Sequence, residues 1–175
     1  MSILAPVGYI GFPDNVKSLE AAMAEFKKIL CAVDFSDQSP KLADYAKTLA
    51  RCTGAKLLCV YVAPSLSQYV GFHVPPSSIE SFVGEIVAGA DTSMQTYLET
   101  HFAGADAEGK VLVGYPAEEI LNMAEDENAD LIIMGTHGRT GIDRILFGSV
   151  AEKVVKSSTC PVLTIRPEPS SDDKD

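Results

Sequence analysis

An α/β fold is predicted: one domain built on an open parallel sheet of five strands, with helices on both faces. Three observations predict it. Short apolar runs alternate with segments of helical period, and the order reads βαβαβαβαβ. The runs Ile29-Leu30-Cys31-Ala32-Val33 and Leu131-Ile132-Ile133-Met134 are continuously apolar rather than alternating, as strands covered on both faces are. The chain has 175 residues, enough for one domain that buries roughly 70% of its unfolded surface.

The elements follow in order. Asp34-Phe35-Ser36 ends the first strand, with Ser36 as N-cap and Pro40 in the first turn of a helix. Leu42, Ala43, Ala46, Leu49 and Ala50 form that helix's apolar face, and Gly54 stops it. Lys56 to Val62 is the second strand, and Pro64 to Pro76 reads as a loop. Ser77-Ser78-Ile79-Glu80 fits a capping box. One helical face then runs through Ile79, Phe82, Val83, Ile86, Val87, Ala90, Met94, Tyr97 and Leu98. Gly84 and Gly89 inside it each cost about 1 kcal/mol relative to alanine. Lys110 to Val113 is the third strand.

Pro116 opens the next helix, with Glu118 and Glu119 in its first turn and Ile120, Leu121 and Ala124 inward. Asn128 supplies a left-handed stop. The fourth strand ends at Gly135. Ser149 opens a last helix with Val150, Ala151, Val154 and Val155 inward and a Glu152–Lys156 pair outward. Pro161 to Ile165 is the fifth strand. Residues 1–26 form an N-terminal extension with a short helical patch from about Lys17 to Phe26. Residues 27–167 form the domain, and 168–175 a disordered acidic tail.

Composition excludes several classes. Net charge is −10, which repels phosphate backbones and anionic lipid and argues against nucleic-acid or membrane-surface binding. No apolar stretch reaches the ~18 residues of a membrane helix. The cysteines at 31, 52, 59 and 160 form no C-x-x-C pair; they read as reduced thiols of a cytoplasmic protein, with Cys31 and Cys59 as small core hydrophobes.

The chemistry is expected beyond the carboxyl ends of the strands, where open α/β sheets bind ligands. The leading signal is Gly135-x-x-Gly138-x9-Gly148-Ser149. Glycine at 135 and 138 permits left-handed backbone and keeps side chains away from a ligand. Gly148-Ser149 falls where a helix starts, so free N–H groups, the helix dipole and the serine hydroxyl favour an anion, with Arg139 adding charge. Turn glycines and an ordinary N-cap serine would give the same spacing. It is neither a Walker loop nor G-x-G-x-x-G. His137 lies between pocket glycines and reads as a contact rather than a catalyst; His73 and His101 have no supporting pattern.

From Lys28 to Arg166 the chain resembles the universal stress proteins. The likeness is carried by Val33-Asp34-Phe35-Ser36, Gly114-x-Pro116-x-Glu118-Glu119-Ile120 and Asp130-Leu131-Ile132-Ile133-Met134-Gly135-Thr136-His137-Gly138-Arg139. Gly148-Ser149-Val150-Ala151 and Cys160-Pro161-Val162-Leu163 continue it. The resemblance implies a Rossmann-like sheet of order 3-2-1-4-5, of the adenine-nucleotide α-hydrolase-like type. The complete glycine motif implies the ATP-binding branch. Carried over by position, Ala32, Asp34 and Val62 line the adenosine end. Met134, Gly135, Gly138, Gly148, Ser149 and Val150 wrap ribose and phosphates, with His137 and Arg139 in the same loop. Ala32 stands where some relatives have proline. The carboxylate of Asp34 would repel a triphosphate, so it faces the nucleoside or meets the phosphates through a divalent metal.

The resulting expectation is a cytoplasmic homodimer, paired through Pro161, Val162, Leu163, Thr164 and Ile165. It binds ATP, AMP or ADP, with Mg2+ or Mn2+ as candidate ions, and regulates a stress response through nucleotide-dependent dimer interactions. No catalytic residue is assigned. A slow ATP hydrolase would need a base near the γ-phosphate, for which the loop offers Asp143. An interaction module with a vestigial pocket is the third reading, opposed by the intact glycines.

Overall fold

The computed structural model describes residues 25–36, 39–65, 76–136 and 148–166. The strands are β1 (Lys28–Ala32), β2 (Lys56–Ala63), β3 (Ala107–Val113), β4 (Leu131–Gly135) and β5 (Val162–Ile165). The helices are α1 (Ser39–Thr53), α2 (Pro76–His101), α3 (Pro116–Asp126) and α4 (Ser149–Ser157). All neighbouring strands are parallel and the order is β3-β2-β1-β4-β5. Strand order therefore reverses between β1 and β4, as the order that the resemblance implies requires.

Two cores explain the continuous apolar runs. Ile29 and Cys31 of β1, with Leu57, Cys59, Leu131 and Ile133, pack under Leu42, Ala43 and Ala46 of α1 and Met94 and Tyr97 of α2. Leu30, with Leu58, Val60, Ile132 and Met134, faces Ala117, Ile120 and Ala124 of α3 and Ala151 and Val154 of α4. Successive strand residues point to opposite faces, so a central strand must be apolar throughout. Cys31 and Cys59 are buried, free and opposite each other on β1 and β2. Burial pushes the Cys31 thiol well up, which keeps it protonated and unreactive.

Charge fixes the register at the other end of the sheet. Asp130 Oδ2 accepts from the backbone N–H groups of Lys27 (2.7 Å) and Lys28 (2.9 Å). That clamp sets Ile29 opposite Leu131, and the same register brings Ala32 opposite Met134 at the far end. Glu127, the C-cap of α3, bridges Lys28 at 2.6 Å and Lys110 of β3.

Helix stops fall where expected: Gly54 and Asn128 have φ of 75° and 52°. Helix α1 runs from Ser39, and residues 37 and 38, on which the N-cap at Ser36 depends, lie outside the described residues. Ser36 gives its carbonyl to the Ser39 N–H at 2.9 Å, in the turn where Asp34 Oδ1 accepts from the Ser36 N–H. Other expectations are corrected. Helix α2 starts at Pro76, so Ser77 lies inside it rather than capping it. Phe82 and Val155 are about half exposed: the buried stripes run through Val83, Ala90, Met94 and Tyr97 on α2 and Ala151 and Val154 on α4. β3 begins three residues before Lys110, paired with Leu57 to Cys59. Among the described residues no helix is long and apolar enough to cross a membrane. Residues 1–24, most of the predicted loop before Pro76 and the tail lie outside the described residues.

Candidate functional site

The crevice lies beyond β1 and β4, and backbone bonds shape it. Val33 continues the sheet by donating its N–H to Val60 O at 2.9 Å. Ala32 is half-buried beside Met134, which is 5% exposed. Val62 stands near the end of β2, also half-buried. The structure thus gathers Ala32, Asp34, Val62, Met134 and Gly135 at one end of the sheet.

Gly148 and Ser149 reach the same place through one residue. Thr136, next after β4 and buried, donates its N–H to Ile165 O at 3.0 Å and accepts from Gly148 N–H at 2.8 Å. The chain that leaves at 136 is therefore back beside 136 at Gly148. Gly148 is the N-cap of α4, with φ −69° and ψ 159°, and as a glycine it has no side chain of its own to cap this terminus. Ser149 is exposed in the first turn, and Val150 packs partly on the α3–α4 core. The first N–H groups of a helix lack intrahelical acceptors, so a helix N-terminus in this place is suited to receive an anion.

Asp34 is held by its own turn. Its Oδ1 accepts from the Ser36 N–H at 3.1 Å and the Ser39 hydroxyl at 3.3 Å. Between them Phe35 has φ of 56°, a left-handed conformation that costs a residue with Cβ about 1–2 kcal/mol. Its ring stacks on Tyr61 of β2 at 4.7 Å and meets Tyr97 of α2 edge-on at 5.9 Å. The buried Tyr97 hydroxyl donates to Ser39 O at 2.6 Å. An open cavity of about 340 Å³ lies against this turn, lined by Phe35, Ser36, Ser39 and the Thr92–His101 face of α2; none of the predicted site residues lines it.

Two sequence arguments change. Gly135 is the paired last residue of β4 and is not among the positive-φ glycines of the described residues, which are Gly54 and Gly104. Ser149 is not the N-cap; Gly148 is. His137, Gly138 and Arg139 lie outside the described residues, as does Asp143. Sequence reasoning missed Thr136 and the Ser36–Ser39 turn. Asp-x-Ser is a readable signal for the turn; the pin at Thr136 is made by backbone atoms and leaves no trace in side-chain type.

A switch-point crevice with a helix N-terminus at its rim is the ligand site of doubly wound α/β proteins. The Universal stress protein family matches residues 25–166, and the chain belongs to that family. The universal stress protein MJ0531 of Methanocaldococcus jannaschii is 36% identical over 143 residues, covering 81% of this chain and 82% of that protein. MJ0577 of the same organism is 32% identical over 154 residues, covering 81% and 95%. Its solved structure superposes with a TM-score of 0.73 at 29% identity, covering 83% of this chain and 99% of that one. A universal stress protein of Archaeoglobus fulgidus, solved in complex with dAMP, matches with a TM-score of 0.60 at 25% identity, covering 81% and 98%.

Proposed function

We propose that this protein binds an adenine nucleotide, ATP foremost, in the crevice between β1 and β4 and acts as a nucleotide-dependent regulator rather than a catalyst. The observation that carries the reading is the return of the chain at Gly148, whose N–H meets Thr136 O at 2.8 Å and so sets the start of α4 beside the end of β4. The dAMP complex of the Archaeoglobus fulgidus relative supports an adenine ligand. In this reading Ala32, Asp34 and Val62 contact the nucleoside. Met134, Gly135, Gly148, Ser149 and Val150, with His137, Gly138 and Arg139, enclose the ribose and phosphates. Mg2+ or Mn2+ would enter with the phosphates, whose charge it offsets beside the Asp34 carboxylate.

Calorimetry with ATP on wild type and Gly148→Val tests the cradle. The backbone at Gly148 is extended and any residue adopts it, so valine changes the space and not the conformation. Affinity is expected to fall about tenfold or more, which is about 1.4 kcal/mol. Unchanged affinity in a variant with wild-type circular dichroism overturns the cradle. Chromatography and mass measurement of nucleotide released from the purified protein identify the ligand among ATP, ADP and AMP.

A further inference from the structure

We infer that Phe35 and Tyr97 are positioning residues that set nucleotide affinity through Asp34 without touching the ligand. The inference rests on the nucleotide reading above. Two routes join Asp34 to α2. In the first, the Tyr97 hydroxyl donates to Ser39 O at 2.6 Å, and the Ser39 hydroxyl donates to Asp34 Oδ1 at 3.3 Å. In the second, the Phe35 ring is stacked on Tyr61 and set edge-on to Tyr97. Phe35, left-handed with φ of 56°, lies where the two routes meet. A bulky residue holds that backbone only where its surroundings over-determine it, and such outliers gather at functional sites. Here the surroundings are the three rings, and what the kink controls is the residue before it. Turning the chain at Phe35 lets the Ser36 N–H point back at Asp34 Oδ1 (3.1 Å), which fixes the carboxylate at the end of β1. Loss of the rings frees the backbone to relax, and the carboxylate loses its orientation.

The test uses the full chain, with amide exchange at Ser36 and ATP calorimetry as readouts. Without nucleotide, Phe35→Ala is expected to speed Ser36 exchange on the order of tenfold, because local opening of the turn controls that amide. It is expected to weaken ATP binding about tenfold in the wild-type background and less than about twofold in an Asp34→Ala background, since effects passing through one group are not additive. Tyr97→Phe removes only the hydroxyl and is expected to act the same way at about threefold; it carries the same cycle if Phe35→Ala does not fold. Unchanged Ser36 exchange overturns the inference. So does equal loss of affinity with and without Asp34, which marks a general effect on the fold. A flat ATP titration of the wild type overturns the nucleotide reading instead, and Ser36 exchange then decides the role of the rings alone.

Discussion

Glu127 ends α3 between two lysines distant from each other in the chain, Lys28 on β1 and Lys110 on β3. Hydrogen bonds from Lys110 and then Lys28 hold its carboxyl down to about 2 from the ordinary 4.5. A carboxyl whose folded value is depressed contributes stability above its unfolded value, and loses it as pH falls through the folded one. The difference in melting temperature between wild type and Glu127→Gln is therefore expected to be full at pH 6, to shrink below about pH 4.5 and to vanish near pH 2. Melts that stay equally far apart down to pH 2.5 would mean the bridge does not form in solution. Residue roles of this kind were hidden in the sequence. Glu127 reads as one more solvated acid, and Asp130 as part of a motif. Only the fold brings Lys27 and Lys28 to their carboxylates. Asp34 and Gly148-Ser149, by contrast, were readable, because each directly follows a strand or opens a helix and local pattern alone puts them at the crevice.

At the scale of elements, continuous apolar runs gave the strands away, and Gly54 and Asn128 marked the helix ends. The start of β3 did not show, because Ala107-Glu108-Gly109 has no strand character of its own; pairing with Leu57, Leu58 and Cys59 imposes it. Glycines separate the two kinds of constraint. A Cβ on Gly109 would lie 2.4 Å from Met94 Cγ and 2.9 Å from Leu98 Cδ1, so α2 descends onto β3 at that point. A Cβ on Gly84 or Gly89 of α2 meets nothing within 4 Å. Gly109→Val is expected to destabilise by about 1–3 kcal/mol through overpacking. Gly84→Ala and Gly89→Ala are each expected to stabilise by about 0.5–1 kcal/mol, since alanine lowers the entropy lost on helix formation. Urea midpoints at constant slope read all three. A Gly109→Val midpoint at or above wild type would show that the helix rides clear of the strand.

The whole molecule is a sheet with two ends, and they differ. Strand order was not legible from periodicity; it came with the family likeness, and the sheet bears it out. That order leaves β5 with β4 on one side and nothing among the described strands on the other. All four β5 residues are half-buried. Leu163 and Ile165 lean on the α1–α2 core and Val162 on the α3–α4 core, so both faces of the strand are apolar and only partly covered. An apolar edge with unpaired backbone groups invites another strand. A second copy about a two-fold axis would pair β5 with itself and cover Leu163 in a self-complementary contact. The edge is also tied to the crevice, because Ile165 O accepts from Thr136, the residue that receives Gly148. Dimerisation at β5 is thus expected to stiffen the contact between Thr136 and Gly148 at the proposed nucleotide site. Leu163→Lys places two like charges in one dimer interface, where unpaired charge is strongly disfavoured. The expected outcome is a dimeric wild type and a predominantly monomeric Leu163→Lys variant at low micromolar concentration by light scattering. The monomer is further expected to bind ATP more weakly by calorimetry. A monomeric wild type, or a variant still fully dimeric, would move the interface away from β5.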